Sequence, residues 1–303
     1  MNKIFYKYKS CDGDATDSKS SFHFLLDSLE KKYFYLSRPE NLNDKDECKV
    51  FDNYAASYND VKRWLNDHPY LLEKIVDNIA NTKDPVYDVK RKAKKLEYRL
   101  AMEESRKNER EHFHILSLTC DPNIEKMWKD YANDYNGVCF GYEANTVLED
   151  SNLNFTDKQA RYLIETTDNN LNIDGAYHHQ NGKSYLGLID VSYIRKQSIR
   201  VKLFRLWDKE ERNKIKDSFL KKNNYDDSKR NKINWSYEKE SRVIVIDKEY
   251  PRNRKIDVIA HYPDYVLKEV IFGHNIESAK KKLILDYLKK NYINYSNLII
   301  RTL

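Results

Sequence analysis

Long apolar runs are the first thing this sequence lacks. No stretch of the 303 residues approaches the roughly 18 consecutive apolar residues of a spanning helix, which excludes an ordinary transmembrane segment. The start, MNKIFYKYKSCDGD, carries lysines but neither an apolar h-region nor a small-residue cleavage site, so a cytoplasmic rather than a secreted protein is expected. Cysteine is scarce and scattered. Cys11, Cys48, Cys120 and Cys139 lack the paired spacing of a zinc site or disulfide framework, and reduced structural roles are expected for Cys120 and Cys139. Neither GxGxxG nor a GxxxxGK motif followed by Ser or Thr occurs, so a dinucleotide-binding Rossmann start and a P-loop ATPase both lose their support. Internal repeats and long low-complexity tracts are also absent.

What is present is a chain that can fold on its own. Hydrophobic residues make up 40%, with 24 tyrosines, which argues against disorder as the dominant state. The formal charge of +6 is spread over mixed acidic and basic residues, a balance that permits phosphate-rich partners without demanding them. A chain of this length buries a substantial core without staples. One α+β domain over 1–303 is expected, with a mainly antiparallel or split mixed sheet, a helical insertion at about 58–111 and a C-terminal helix.

The periodicity places the elements. IFYKYKS reads as a strand, 20 to 31 as a helix and YFYLS (33–37) as a second strand, followed by an ordered loop in RPENLNDKDE. Leu72, Ile75, Val76 and Ile79 form one helical stripe, and Val89, Ala93, Leu96 and Leu100 another, with Pro85 suited to a first turn. FHILSL (113–118) reads as a strand. Asp121 then caps a helix with Pro122 in its first turn, and Ile124, Met127, Trp128 and Tyr131 share a face. VCFGY (138–142) is a strand. A short helix is expected near 156 to 166, a loop at YHHQNGKS, a strand at LGLIDVSYI and a helix near 200 to 222. KKNNYDDSKRNKIN offers turn residues and charge with little to bury, and reads as a mobile loop. Strands near 241 to 247, 256 to 261 and 266 to 272 precede a helix at 276–291.

One motif concentrates the functional question. In WSYEKESRVIVID (235–247), Glu238 and Glu240 lie two apart beside a β-branched run. On a strand they would share a face, with Trp235 and Tyr237 on the other. Two readings stay open: a catalytic pair in a cleft, or structural carboxylates of which one pairs with Arg242 while both cover an exposed edge. Trp128, Tyr131 and Tyr135 suit a buried helical ridge, although aromatic walls also hold flat ligands. Glu47-Cys48-Lys49 with Asp44 nearby raises a metal-dependent nuclease, but these residues are too close together for converging ligands. His112 with His114, and His178 with His179, lack a convincing third ligand, and no metal is expected.

Four ordered pieces resemble a bacterial and phage-associated family, domain of unknown function 2971: YKYKS (6–10), YFYLSRPENLNDKDE (33–47), ILSLTCDPNIEKMWKDYANDYNGVCFGY (115–142) and WSYEKESR (235–242), supported by LKEVIFG (267–273). The family usually has proline after Asn-Asp, where this chain has Asn43-Asp44-Lys45. A weaker resemblance runs to ADP-ribosyltransferases with a basic residue on an early strand, a serine on the next and a later Glu-x-Glu. It implies NAD as cofactor. By that resemblance Glu240 steadies positive character as nicotinamide leaves, Glu238 orients the acceptor, Ser37 positions the ribose and Lys7 meets the pyrophosphate. Tyr8, Asn43 and Trp128 complete the expected cofactor-binding set. Lys7 stands where such enzymes have arginine, which removes bidentate phosphate recognition, and the Ser-Thr-Ser cluster is reduced to one hydroxyl. The implied context is a phage-defence or toxin-like effector with an unknown protein or nucleic-acid acceptor, an immunity or defence-system partner, and no membrane. The alternative is a non-enzymatic binding or sensor module contacting protein or nucleic acid through the loops at 38 to 49, 174 to 183 and 223 to 235. A transferase needs Lys7, Ser37 and Glu240 to converge, whereas a binding module has no reason to bring them together.

Overall fold

Alternation along the first strand sets the architecture. β1 (Asn2–Lys9) buries Phe5 on one face and Tyr8 on the other, between lysines. The computed structural model describes residues 2–43, 57–71, 83–94, 113–146, 160–168, 173–174, 177–180, 183–195, 221–224, 235–247 and 258–303. After β1 come α1 (Ser21–Lys31), β2 (Tyr33–Leu36), α2 (Tyr58–Asp67), α3 (Pro85–Lys94), β3 (Phe113–Thr119), α4 (Glu125–Asp130) and β4 (Val138–Thr146). Then follow β5 (Tyr162–Thr166), β6 (Ile173–Asp174), β7 (Tyr177–Gln180), β8 (Lys183–Asp190), β9 (Ser192–Arg195) and β10 (Lys221–Asn224). β11 (Glu240–Asp247), β12 (Val258–His261), β13 (Leu267–Phe272), α5 (Ser278–Asn291) and β14 (Ile299–Thr302) complete the chain.

The fold is α+β and its sheet mainly antiparallel, as the periodicity predicts, but the sheet also closes. β1 pairs with β4 along its whole length, from Asn2 opposite Asn145 to Lys9 opposite Val138, and touches β3 where Tyr6 faces Thr119. β3 runs beside β11, from Glu240 opposite Thr119 to Ile246 opposite Phe113. β11 meets β8, β8 meets β5 and β5 meets β4. These six antiparallel pairings form a six-stranded barrel, β1-β3-β11-β8-β5-β4. Closure satisfies strand edges that would otherwise be exposed. β13 adds antiparallel to β4 outside the ring and carries β14 in parallel.

The main core combines barrel residues such as Phe5, Leu116, Leu118, Phe140, Ile164, Leu188 and Val243 with Phe22, Leu25 and Leu29 of α1 and Ile284 and Leu288 of α5. Ser20 caps α1 by accepting from the His23 N–H at 3.0 Å, and the helix stops where Lys32 turns left-handed at φ 55°. The chain divides into two compact units. The barrel unit comprises residues 1–41, 112–191 and 234–303, and the second comprises 42–111 and 192–233. In the second unit, a capping box at Ser57 and Asp60 starts α2, Pro85 occupies the first position of α3, and β9 and β10 pair in parallel.

Several expectations are corrected. Residues 162–166 form strand β5 rather than the end of a helix, because Leu163, Ile164 and Thr166 are buried between β4 and β8. His178 and His179 lie in β7, laddered to β8, not in a loop. The strand expected through LGLIDVSYI breaks at Val191 into β8 and β9, which belong to different sheets. Lys221–Asn224, read as the start of a mobile loop, pairs with β9. Asp121 does not cap α4. Its carboxylate accepts from the Asn123 N–H at 2.9 Å in a local turn, and the helix begins at Glu125. The helical stripe at 72–79, and all but the last two residues of the helix at 200–222, lie outside the described residues. Among the described residues no helix is long and apolar enough to cross a membrane.

Candidate functional site

Three alternate residues of β3 gather the site. Ser37 exchanges both backbone hydrogen bonds with Ile115, at 2.8 and 2.7 Å. Thr119 faces Tyr6 of β1 on that same edge and Glu240 of β11 on the other. Backbone groups of residues two apart point to the same edge of a strand, so the Ser117 carbonyl opens into the gap where β1 and the Ser37 segment diverge. A buried carbonyl needs a donor. Lys7 supplies it, its Nζ lying 2.9 Å from Ser117 O. Lys7, Ser37 and Glu240 thus meet β3 within five residues, a rise of about 13 Å.

The two glutamates do not share a strand. Ser236–Glu238 is one 3-10 turn, Lys239 is left-handed at φ 46°, and β11 starts only at Glu240. The expected alternation from Trp235 to Glu240 fails because the left-handed residue reverses the chain between the carboxylates. Three side chains tie this turn to the α4 region. Tyr131 donates to Glu238 Oε1 at 2.5 Å, Tyr237 donates to Asp130 at 3.2 Å, and Lys239 donates to Asp121 at 2.8 Å. That last contact, with the Asn123 N–H, holds the Asp121 carboxyl below the usual range.

Both glutamates are buried rather than trimming an exposed edge: Glu238 is 3% and Glu240 6% exposed. Arg242, fully buried, grips Glu240 with two parallel bonds, Nε to Oε1 at 2.9 Å and Nη2 to Oε2 at 3.0 Å. The pairing of a glutamate with Arg242 is therefore present, in the strong bidentate form. Lys7 lies within electrostatic reach of both carboxylates. Burial pushes its amine down from the ordinary lysine range to about 8, Lys9 and Arg242 repel it further, and Glu240 and Glu238 pull it back. Burial lowers the Lys9 amine as well. Lys7 and Arg242 thus stand against the two carboxylates Glu238 and Glu240.

Tyr8 and Trp128 occupy a second, smaller core with Ala132, Cys139 and Ile271. Their rings meet edge to face at 5.1 Å, and the Trp128 indole N–H donates to Pro122 O at 2.8 Å. Trp128 stacks on Tyr135, and Tyr135 on His274 at 4.3 Å. The turn that delivers Tyr135 has three successive left-handed residues, Asn133, Asp134 and Tyr135. A Cβ on Gly273 would stand 2.1 Å from the Tyr135 carbonyl oxygen, so only glycine fits there. Asn43 is exposed and falls in the second unit, while Asp44, Glu47, Cys48, Lys49 and His112 lie outside the described residues. His114 is buried on β3. Among the described residues no group of three His, Cys, Asp or Glu side chains is arranged to hold a metal ion.

The Tyr131 hydroxyl, Lys9 and the Ser117 carbonyl were not singled out by sequence reasoning. Tyr131 and Glu238 are 107 positions apart, and nothing in either segment announces the other. The alternation of Lys7 and Lys9 along β1 was the one visible signal for Lys9.

Residues 127–243 match the model of a family described as Protein of unknown function (DUF2971). The match runs from the Trp128 face of α4 to the first residues of β11 and so includes Glu238, Glu240 and Arg242. No curated protein and no solved structure matches.

Proposed function

We propose that this chain, whose residues 127–243 match the family model of proteins of unknown function DUF2971, is a cytoplasmic effector that transfers ADP-ribose from NAD to an acceptor. The observation that carries the reading is the meeting of Lys7, Ser37 and Glu240 along Ile115–Thr119 of β3, from three distant parts of the chain. Buried Glu238, Glu240 and Arg242, with the half-buried Lys7 beside them, cost stability, and such clusters gather at functional sites. The bidentate Arg242 holds the Glu240 side chain in place to stabilise the positive charge that grows on a ribose as nicotinamide departs. Lys7 and Lys9 supply positive charge for a diphosphate. Glu238 is the base for an acceptor proton. The effector context, with a defence-system or immunity partner, rests on the family resemblance.

One observation favours a second reading, a non-enzymatic binding module. The Arg242 grip gives Glu240 a structural job whether or not a ligand binds. Nicotinamide release from NAD, with cell lysate supplying acceptors, separates the two. The comparison is wild type against Glu240→Gln, Glu238→Gln and Lys7→Met, each shown folded by circular dichroism. Lys7→Met is included because it leaves the buried pair intact. Release by wild type that falls at least tenfold in the folded variants supports the transferase, whereas no release by folded wild type removes it in favour of the binding module.

A further inference from the structure

We infer that Tyr131 is a built-in acceptor, the position at which this chain carries an ADP-ribosyl group of its own. This deepens the transferase reading and rests on it. Tyr131 caps the C-terminal end of α4, and its ring is only partly buried, so the phenol runs from the protein surface to a buried carboxylate. Its oxygen lies 2.5 Å from Glu238 Oε1. A hydroxyl donating a short bond to an otherwise buried carboxylate is a nucleophile already in contact with its base.

The surroundings hold that contact in place. The adjacent Asp130 accepts from Tyr237, and Lys126 Nζ sits 4.5 Å from the centre of the Tyr237 ring, which locks 130–131 against 237–238. Lys239 alone separates Glu238 at the end of the 3-10 turn from Glu240 at the start of β11, so an electrophile seated against Glu240 is one residue's span from the group held by Glu238. Two neighbouring hydroxyls donate elsewhere, Ser241 to Asp190 at 2.7 Å and Tyr237 to Asp130 at 3.2 Å.

The step balances without a further reagent. The Tyr131 phenolic oxygen bonds to C1′ of the nicotinamide-bearing ribose, and the C1′–N bond breaks. Nicotinamide leaves as the neutral base with the bonding pair, and the phenolic proton passes to the Glu238 carboxylate and then to water. The product is a tyrosine O-glycoside. It removes the Tyr131 hydrogen bond to Glu238 and fills the approach to the pair, so self-modification would limit the chain's own turnover.

The test incubates the full chain with NAD alone, digests it and maps any added ADP-ribosyl group by mass spectrometry, before and after hydroxylamine. The expected result is a label approaching one per chain on the peptide carrying Tyr131. It resists hydroxylamine, as an O-glycoside does, and disappears in Tyr131→Phe. A hydroxylamine-labile label on Glu238 or Glu240, or a label elsewhere, overturns the inference. Nicotinamide release with lysate but no label on the chain overturns it while leaving the transferase reading standing. Absence of both release and label removes the two together. Mapping on the wild type decides the matter even if Tyr131→Phe folds poorly.

Discussion

Two ion pairs of the barrel unit make an instructive contrast. Arg242–Glu240 and Lys183–Glu165 have nearly the same separation, 2.9 and 2.8 Å. The first has side chains 1% and 5% exposed, and the second 51% and 13%. Lys183 shares Glu165 with Tyr265, and these bonds hold its amine protonated well above the ordinary lysine range. Lys7 shows the reverse, a lysine driven downward because water is kept from it. Opposite charges side by side therefore mean different things at the two places. At the surface water screens the pair and little stability depends on it. In the buried cluster each charge is tolerated only while its partner remains. Stability is spent at Lys7, Glu238, Glu240 and Arg242, which is why function is sought there and not around Lys183.

The largest test of the contrast removes one buried partner. Glu240→Ala strands the Arg242 guanidinium and should cost about 3–5 kcal/mol in urea unfolding. The double replacement Glu240→Leu with Arg242→Met should recover most of that loss, because no uncompensated charge remains. Failure of the recovery would mean that shape, not charge, holds this part of β11.

Lys7→Met comes next. Lowering a lysine from its ordinary 10.5 to about 8 corresponds to a penalty on the order of 3 kcal/mol. The lost Ser117 hydrogen bond returns about 1 kcal/mol of that. The variant should therefore melt roughly 5 °C higher than wild type while losing any NAD turnover. The same residue gives a pH signature. Below about 8 the amine is charged in both folded and unfolded chains, and the full burial penalty applies. Between about 8 and 10.5 the unfolded chain still holds the proton that the folded chain has released, so the stability of wild type relative to Lys7→Met rises with pH through that window. Chemical denaturation of the two proteins at pH 7, 8.5 and 10 reads the difference, and a flat difference would place the Lys7 amine in water. The smallest effect is expected at the exposed pair. Lys183→Ala should move the melting point by no more than about one degree, and a larger drop would make that surface pair as structural as the buried one.

Much of the fold was legible because it is locally encoded. IFYKYKS and FHILSL read as strands and became β1 and β3, the helix read over 20 to 31 became α1, and Pro85 fell in the first turn of α3. Where propensity and environment disagree, the reading failed. Residues 162–166 have mixed local signals and become a strand only because β4 and β8 supply partners on both sides. In the candidate site, Lys7, Ser37, Glu238 and Glu240 were named from their chemistry and motif order. Tyr131 was read as part of the aromatic ridge with Trp128 and Tyr135, but its bond to Glu238 was missed, because a hydrogen bond across 107 residues leaves no periodicity in either segment.

The sequence by itself determined the strands and helices whose pattern is local, such as β1, α1 and β3, and which residues carry charge beside the apolar runs, since both depend on neighbours a few positions apart. Only the tertiary structure decided that six strands close into a ring, that the Ser117 carbonyl faces a gap which Lys7 fills, and that Glu240 is gripped by Arg242 away from water. Burial is a property of the whole chain's packing. The same glutamate is solvated trim on an open edge and a costly buried charge when packed against Arg242, and that difference is set by contacts from residues far away in the sequence.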